Sequence, residues 1–380
     1  MILELIATTG FGLEAVAKRE IQNLGYEIVS VEDGKVTYKA DERGIVRSNL
    51  WLRTPDRILM KIAEFRALEF EDLFQRVKGY PWEELIPIDG KFPVTGSSVK
   101  SKLSSVPACQ SVVKKAIVER LKEFYVVDRF EETGAEYTVK VSLLKDRATI
   151  TVDTSGSSLH KRGYRVAPVA APMKENMAAA LVELSFFRAG RMLVDPCCGS
   201  GTIPIEAAMI EMNIAPGLSR RFACDQWEFI DKSLWKEEKK KAYEAIDYDK
   251  DIKIKAYDIN KDAVDAAMEN AEEAGVDDCI EFAVADIKTL EASEPNGIII
   301  TNPPYGERIG EEEAIDKIYK KLGEFFKENP NWSLFLITTD DDFEQKAMGR
   351  KADRRRKLFN GRLKTTYYQF HGEKPKVKNV

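Results

Sequence analysis

The first stretch of the chain, ILELIATTG, reads as a strand from its apolar run. GLEAVAKREIQNLG then shifts to helical spacing and closes on Gly25, a residue suited to ending a helix. YEIVSVEDGKVTYKA predicts a hairpin turned at Asp33-Gly34. DERGIVRSNLWLR predicts a second helix, and ILMKIAEFRAL another strand.

That β-α-β-β-α-β order fits a small α+β unit of ferredoxin-like type over residues 1–65. A second small α/β segment covers residues 66–165. It holds a helix at 71–78, a loop rich in Ser and Lys at 97–105, a helix at 107–123, and the strands YTVKVSLLKD and RATITVDT.

The pattern changes in residues 166–380. Apolar runs alternate with helices: RMLVD then IPIEAAMIEM, IKAYD then AVDAAMENAEEAG, EFAVAD, GIIITN then IDKIYKKLGEFFKE, and SLFLITT. Such alternation predicts a Rossmann-like α/β domain with a parallel sheet and crossover helices. At the end, Asn360-Gly361 between two strand-like runs predicts an antiparallel hairpin added to that sheet. Residues 211–252 break the rhythm with PGLSRRF, a Trp and the charged run WKEEKKKAYEA, and read as an insertion.

Composition narrows the picture. The net charge is -5, but residues 1–165 carry +2 and the remainder -7. The first ten residues lack the pattern of a signal peptide, and no apolar run approaches the roughly 20 residues that span a bilayer. Five scattered cysteines read as reduced cytosolic thiols, so a cytoplasmic protein is expected. With two histidines and no Cys-x-x-Cys, neither a metal site nor histidine catalysis is expected.

The candidate chemistry lies at the ends of the expected parallel strands. VDPCCGSGT (194–202) follows a strand and opens a helix, with Gly199 and Gly201 free to turn tightly. It lacks the third glycine of a dinucleotide fingerprint and the Lys of a P-loop. Asp195, before the glycines, suits a cationic amino-acid moiety better than a pyrophosphate. Taken alone, the stretch also fits a plain strand-to-helix turn. Asp258 ends IKAYD, where an acid can accept both hydroxyls of a ribose, or cap the next helix. Asp286 ends EFAVAD, placed to meet an adenine amino group. Asn302 ends GIIITN and is followed by Pro303, Pro304 and Tyr305. Two prolines remove two N–H donors. A carboxamide and a flat ring beside them suit a planar substrate bearing NH2. Ligands bind outside the carboxyl ends of strands in open α/β sheets, and these four residues share that edge.

DPCCGSGT, AYDIN, VADI and TNPPYG, in that order, resemble a class I S-adenosylmethionine-dependent methyltransferase of the amino-group type. The resemblance implies that the Asn302 side-chain oxygen and the Pro303 carbonyl accept hydrogen bonds from the target NH2, with Pro304 shaping the turn and Tyr305 stacking on the base. It places the cofactor on Asp195, Pro196, Gly199, Gly201, Thr202, Asp258, Ile259, Asp286, Ile287 and Asn302. Asn176 or Glu175, in APMKENMAAALV, is a further candidate for the cofactor or for a polar helix start. Glu307 and Arg308, in PPYGER, are candidates for the substrate or for locking the loop.

The first half adds a polymer. Residues 91–122 contain seven Lys or Arg and one acid, spaced by Ser and Gly, which reads as a phosphate-binding surface or as a solvated helix face. Residues 66–155 resemble a THUMP domain, and LHKRGYR (159–165) resembles the signature that follows it in bacterial ribosomal-RNA guanine methyltransferases of the RlmL kind. This puts RNA on Lys100, Lys102, Lys114, Lys115, Lys161, Arg162 and Arg165. GRKADRRRKLFNGRLK (349–364), with eight basic residues and one acid, is a further candidate for the RNA backbone.

The reading that follows is methylation of guanine N2 in large-subunit ribosomal RNA. With one methyltransferase domain, a single reaction is expected. Guanine N7, transfer RNA, DNA adenine, protein glutamine and a non-catalytic role in ribosome assembly stand as alternatives. The sequence sets no oligomeric state.

Overall fold

The computed structural model describes residues 2–166, 172–305, 312–361 and 363–373. The chain divides into two compact units, each discontinuous. The first is Met1–Thr9, Ala17–Leu159 and Arg220–Lys241; the second is Gly10–Val16, His160–Ser219 and Ala242–Val380.

The N-terminal elements are β1 (Leu3–Thr8), α1 (Glu14–Asn23), β2 (Glu27–Glu32), β3 (Lys35–Ala40), α2 (Glu42–Trp51) and β4 (Arg57–Arg66). Then come α3 (Phe70–Lys78), β5 (Val94–Val99), α4 (Val106–Tyr125), β6 (Val139–Leu144) and β7 (Arg147–Asp153). The strands form one sheet in the order β2-β3-β1-β4-β7-β6-β5. Its pairs are antiparallel except β5 with β6. The ten-residue β4 is the shared member: it pairs with β1 along one edge and with β7 along the other. Segments 1–65 and 66–165 therefore share a sheet and a core. The expected loop at 97–105 begins later than its composition suggests. Ser97 and Ser98 pair with Ser142 and Leu143, and the chain leaves the sheet only at Lys100.

The insertion also differs from its charged appearance. Residues 220–241 belong to the first unit. Trp227 is fully buried there, stacks on Tyr137 at 4.9 Å and donates its indole N–H to the Glu136 carbonyl. Phe222 stacks on Trp235 at 5.4 Å. Glu238, 3% exposed, accepts from Arg43 across 2.5 Å.

In the second unit the chain runs through α5 (Glu175–Glu183), β8 (Leu193–Asp195) and α6 (Thr202–Glu211), past α7 (Lys232–Glu244), to β9 (Ile254–Asp258), α8 (Lys261–Ala274) and β10 (Ile280–Val284). It continues with β11 (Ile298–Thr301), α9 (Glu312–Glu328), β12 (Ser333–Thr338), β13 (Arg354–Asn360) and β14 (Leu363–Phe370). The sheet order is β10-β9-β8-β11-β12-β14-β13. The first five are parallel, while β14 runs antiparallel to both β12 and β13. Strand order reverses between β8 and β11, so the crevice at their carboxyl ends is a topological switch point. Every residue of β11 and of β12 is buried, which explains their unbroken apolar runs. Among the described residues, no helix is long and apolar enough to cross a membrane.

Candidate active site

The short β8 ends at Asp195, and the chain turns at once into the glycine loop. Gly199 and Gly201 take φ of +53° and +78°, a region where a side chain is strained. A Cβ on Gly201 would also stand 3.0 Å from the Ala267 Cβ, so the loop lies hard against α8. Asp195 is 1% exposed. Its Oδ1 accepts from the Thr301 hydroxyl at 2.8 Å and from the Cys197 N–H at 3.2 Å. Burial pushes its carboxyl up to about 7 despite those donors, and the charge of Asp258 adds to the rise.

Asp258 closes β9. Its Oδ2 accepts from the Gly199 N–H at 3.0 Å and its Oδ1 from the Asn260 N–H at 2.9 Å. The helix-cap role belongs instead to Asn260, whose side chain accepts from the Asp262 N–H. Asp286 lies two residues beyond β10 and caps a short turn by accepting from the Lys288 N–H at 3.0 Å. That bond, with the Lys288 ammonium 3.3 Å away, holds its carboxyl below the ordinary range.

Asp258, Asp286, Pro196, Ile259, Ile287 and Pro304 line one cavity of about 360 Å3. Asp195, Gly199, Gly201, Thr202 and Asn302 do not line it. Asp195 and Thr202 are buried in and beside the glycine loop. Sequence reasoning missed Cys197, Ala285, Lys288, Ala314, Lys317 and Ile318 on the same wall. The last three belong to α9, which carries no motif of its own.

Asn302 is half-buried, Pro303 buried and Pro304 exposed. The Asn302 Oδ1 accepts from the Tyr305 hydroxyl at 2.6 Å, and that hydroxyl accepts from the Asn360 Nδ2 at 3.2 Å. The sequence marks Asn360 only as a turn residue, and Thr301 carries no signal beyond adjoining Asn302. Glu307 and Arg308 lie outside the described residues.

Several residues assigned to RNA lie elsewhere. Arg162 is 3% exposed and pairs with fully buried Glu206 at 3.3 Å, where the Tyr164 hydroxyl also donates. It is a core residue. Arg165 donates to Glu175 at 3.0 Å, to the Ser200 hydroxyl at 3.0 Å, to the Thr202 hydroxyl at 3.1 Å and to the Met173 carbonyl at 3.0 Å. Half-buried, it braces the glycine loop through these bonds. Glu175 is buried as its partner, and Asn176 is buried beside it. Lys114 donates to Glu132 at 2.7 Å and to the Phe92 carbonyl at 3.0 Å, with its ammonium 3.4 Å from the Phe92 ring centre. Lys100, Lys102, Lys115 and Lys161 are exposed.

A family model described as "RMKL-like, methyltransferase domain" matches residues 162–369. Models described as "RlmL ferredoxin-like domain" and "THUMP domain" match residues 4–59 and 67–153. The chain is 51% identical over 368 residues to the Bacillus subtilis (strain 168) protein named "Putative RNA methyltransferase YpsC", covering 96% of this chain and 95% of that one. It is 33% identical over 388 residues to "Ribosomal RNA large subunit methyltransferase K/L" of Psychromonas ingrahamii, covering 99% of this chain. It spans 51% of that longer relative. The crystal structure titled "a possible methylase from Clostridium difficile 630" superimposes with a TM-score of 0.95 at 48% identity over 99% of both chains. That of SMU.472 complexed with SAH gives 0.93 at 44% identity, again over 99% of both.

Proposed function

Because this chain belongs to the RMKL-like methyltransferase family, we propose that it transfers a methyl group from S-adenosylmethionine to the exocyclic N2 of a guanosine in large-subunit ribosomal RNA. The observation that carries this reading is the Asn302 carboxamide at the carboxyl end of β11, next to the switch point of the sheet.

The cavity suits the adenosine part of the cofactor, which when bound supplies a methyl group on a cationic sulfur. Ile259, Ile287 and Ala285 give it apolar walls. Asp258 and Asp286 give it acceptors for ribose hydroxyls and an adenine amino group. An ionised carboxylate has about four lone-pair sites, so Asp258 can keep its two N–H donors and still accept from a ribose. Asp195 is short of charge compensation in its buried position, and an ammonium group at the adjacent loop would supply it.

On the substrate side, the Asn302 oxygen uses one lone pair on the Tyr305 hydroxyl and retains a second for an N–H of the target amine. That acceptor, with the Pro303 carbonyl, turns the nitrogen lone pair toward the methyl group. Alignment and exclusion of water then do the work, and the proton that the methylated nitrogen must lose passes to solvent on product release. Extruding the guanine from its stack costs a few kcal/mol. Stacking on the Tyr305 ring returns roughly 1–3 kcal/mol. The exposed Lys100, Lys102, Lys115 and Lys161 are the candidates for phosphate contact, and the site of action is the cytoplasm.

The test is mass spectrometry of nucleosides from ribosomal RNA of cells lacking the gene. Loss of one N2-methylguanosine is expected. Loss of one N7-methylguanosine keeps the enzyme class and overturns the role of Asn302. Unchanged ribosomal RNA, with a loss in transfer RNA, overturns the choice of polymer.

A further inference from the structure

The basic segment at the end of the chain divides into spent and unspent charges. Arg355 pairs with Glu344, Arg356 donates to the Gly12 carbonyl at 3.1 Å, and Arg350 lies 3.4 Å from Asp353. Lys357 and Lys364 are exposed, and their side chains have no partner among the described residues. Phe359 stands in register with Lys364 across the hairpin, and Lys357 is two positions away on the same face of β13. An exposed edge strand carrying lysines is ordinarily protected against pairing with other chains. An exposed aromatic ring among them is not part of that protection. Phe359 is 42% exposed, and Phe11, 51% exposed, meets it edge-on with ring centres 6.1 Å apart.

Phe11 is held there by construction. Gly12 has φ of +88°, and a Cβ on it would stand 2.6 Å from the Lys357 carbonyl oxygen. The loop is thus seated on β13 through a residue that has no side chain. The next residue after Phe359 is Asn360, which donates to the Tyr305 hydroxyl at 3.2 Å, and Tyr305 donates to Asn302 at 2.6 Å. The aromatic pair is therefore joined to the candidate amine acceptor by two hydrogen bonds.

We propose that Phe11 and Phe359, flanked by Lys357 and Lys364, form a stacking platform for an unpaired nucleotide adjacent to the target guanosine. The rings take the base and the two ammonium groups take its phosphates. Aromatic faces interleaved with basic groups are what single-stranded nucleic acid requires, and stacking is indifferent to which base is offered. The inference rests on the RNA reading above and adds where the flanking strand lies.

The test uses the full chain with large-subunit ribosomal RNA purified from cells lacking the gene. Wild type, Phe359→Ala, Phe359→Leu and Phe359→Trp are compared for methyl transfer and for binding of S-adenosylhomocysteine. Phe359→Ala and Phe359→Leu are expected to raise KM for RNA about tenfold, within the range that loss of one stacked base gives. Phe359→Trp is expected to keep the wild-type KM, and all four should bind the cofactor product equally. Leu preserves apolar bulk but has no π-face, so a wild-type KM for Phe359→Leu overturns the platform while leaving the RNA reading intact. Failure of the wild type itself to methylate this RNA overturns both. A Lys357→Ala, Lys364→Ala double variant should lower the salt slope of RNA binding by about 1.4, at about 0.7 per single-strand phosphate. An unchanged slope overturns the phosphate contacts.

Discussion

The Thr301 hydroxyl donates to Asp195 Oδ1 at 2.8 Å, so the last residue of β11 is bonded to the last residue of β8. Asn302, the proposed amine acceptor, follows Thr301 directly, and the glycine loop follows Asp195. That side-chain hydrogen bond ties the two strand ends together.

Thr301→Val keeps the shape and removes that donor. Hydrogen bonds to charged groups contribute about 1.5–3 kcal/mol. The ionised form of Asp195 therefore becomes costlier, and affinity for S-adenosylhomocysteine near pH 7 should fall about tenfold. Calorimetric titration measures it. Equal affinity in the two proteins would assign the bond to folding alone.

Asp195 also predicts a pH dependence. Burial raises its folded-state carboxyl to about 7, against about 3.9 in an unfolded chain. A raised group contributes stability that is present below its unfolded pKa and lost as pH rises through the folded one. In the ligand-free protein, Asp195→Asn should therefore gain on wild type between about pH 4 and 7, at up to roughly 1.4 kcal/mol per pH unit. Urea unfolding at a series of pH values reads this. Parallel stability curves would place the anion in a better-solvated site than its 1% exposure implies.

Asn302→Ala should abolish methyl transfer and leave cofactor affinity within about twofold, because its partner is the target amine. Tyr305→Phe, which frees the Asn302 oxygen and the Asn360 amide, should lower kcat with the cofactor Kd unchanged. Single-turnover assays beside cofactor titrations separate these effects. Cofactor binding lost together with activity would move Asn302 to the cofactor side.

Arg162→Ala leaves the Glu206 carboxylate buried beside the Tyr164 hydroxyl without its guanidinium. Breaking a buried pair costs about 3–5 kcal/mol. Denaturant midpoints should drop accordingly, with the salt slope of RNA binding untouched. A folded, stable variant with weak RNA affinity would return Arg162 to the RNA surface.

Lys100→Ala, Lys102→Ala and Lys115→Ala combined should flatten the salt dependence of RNA binding by roughly 0.7–0.9 for each phosphate that is no longer neutralised. Lys114→Ala should instead lower stability, since its ammonium is shared among Glu132, the Phe92 carbonyl and the Phe92 ring. Filter binding over a range of salt, with thermal melts of each variant, distinguishes the two outcomes.

Much of this architecture could be read from local pattern. Asp33-Gly34 turns β2 into β3, and Asn360-Gly361 marks the β13–β14 hairpin with Asn360 as the last paired residue of β13, because a tight turn is a local event. The acidic strand ends are legible because the parallel sheet fixes which ends share an edge. What stayed hidden depends on distant partners. Arg162 looks like a phosphate ligand until Glu206, 44 positions away, is seen beside it. Lys114 finds Glu132 18 positions on. The union of β4 with β7 depends on distant residues such as Met60 and Val152 meeting across the sheet, and no local spacing announces that. Trp227 sits in a charged stretch whose composition points to solvent, yet it stacks on Tyr137.

Trp227 also sets a timetable. The sheet that it anchors is fully encoded by Asp153, but the segment that completes its core, Arg220–Lys241, follows only after the start of the catalytic half. At about 5–20 residues per second, the ribosome needs roughly 4–16 s to travel from Leu159 to Lys241. During that interval the front half exists as an emerged polypeptide with an open place beside Tyr137. A gene cut after residue 165 would make that interval permanent. Expression of the front half alone should therefore yield an aggregation-prone product, whereas grafting residues 220–241 back through a short linker should restore a soluble one.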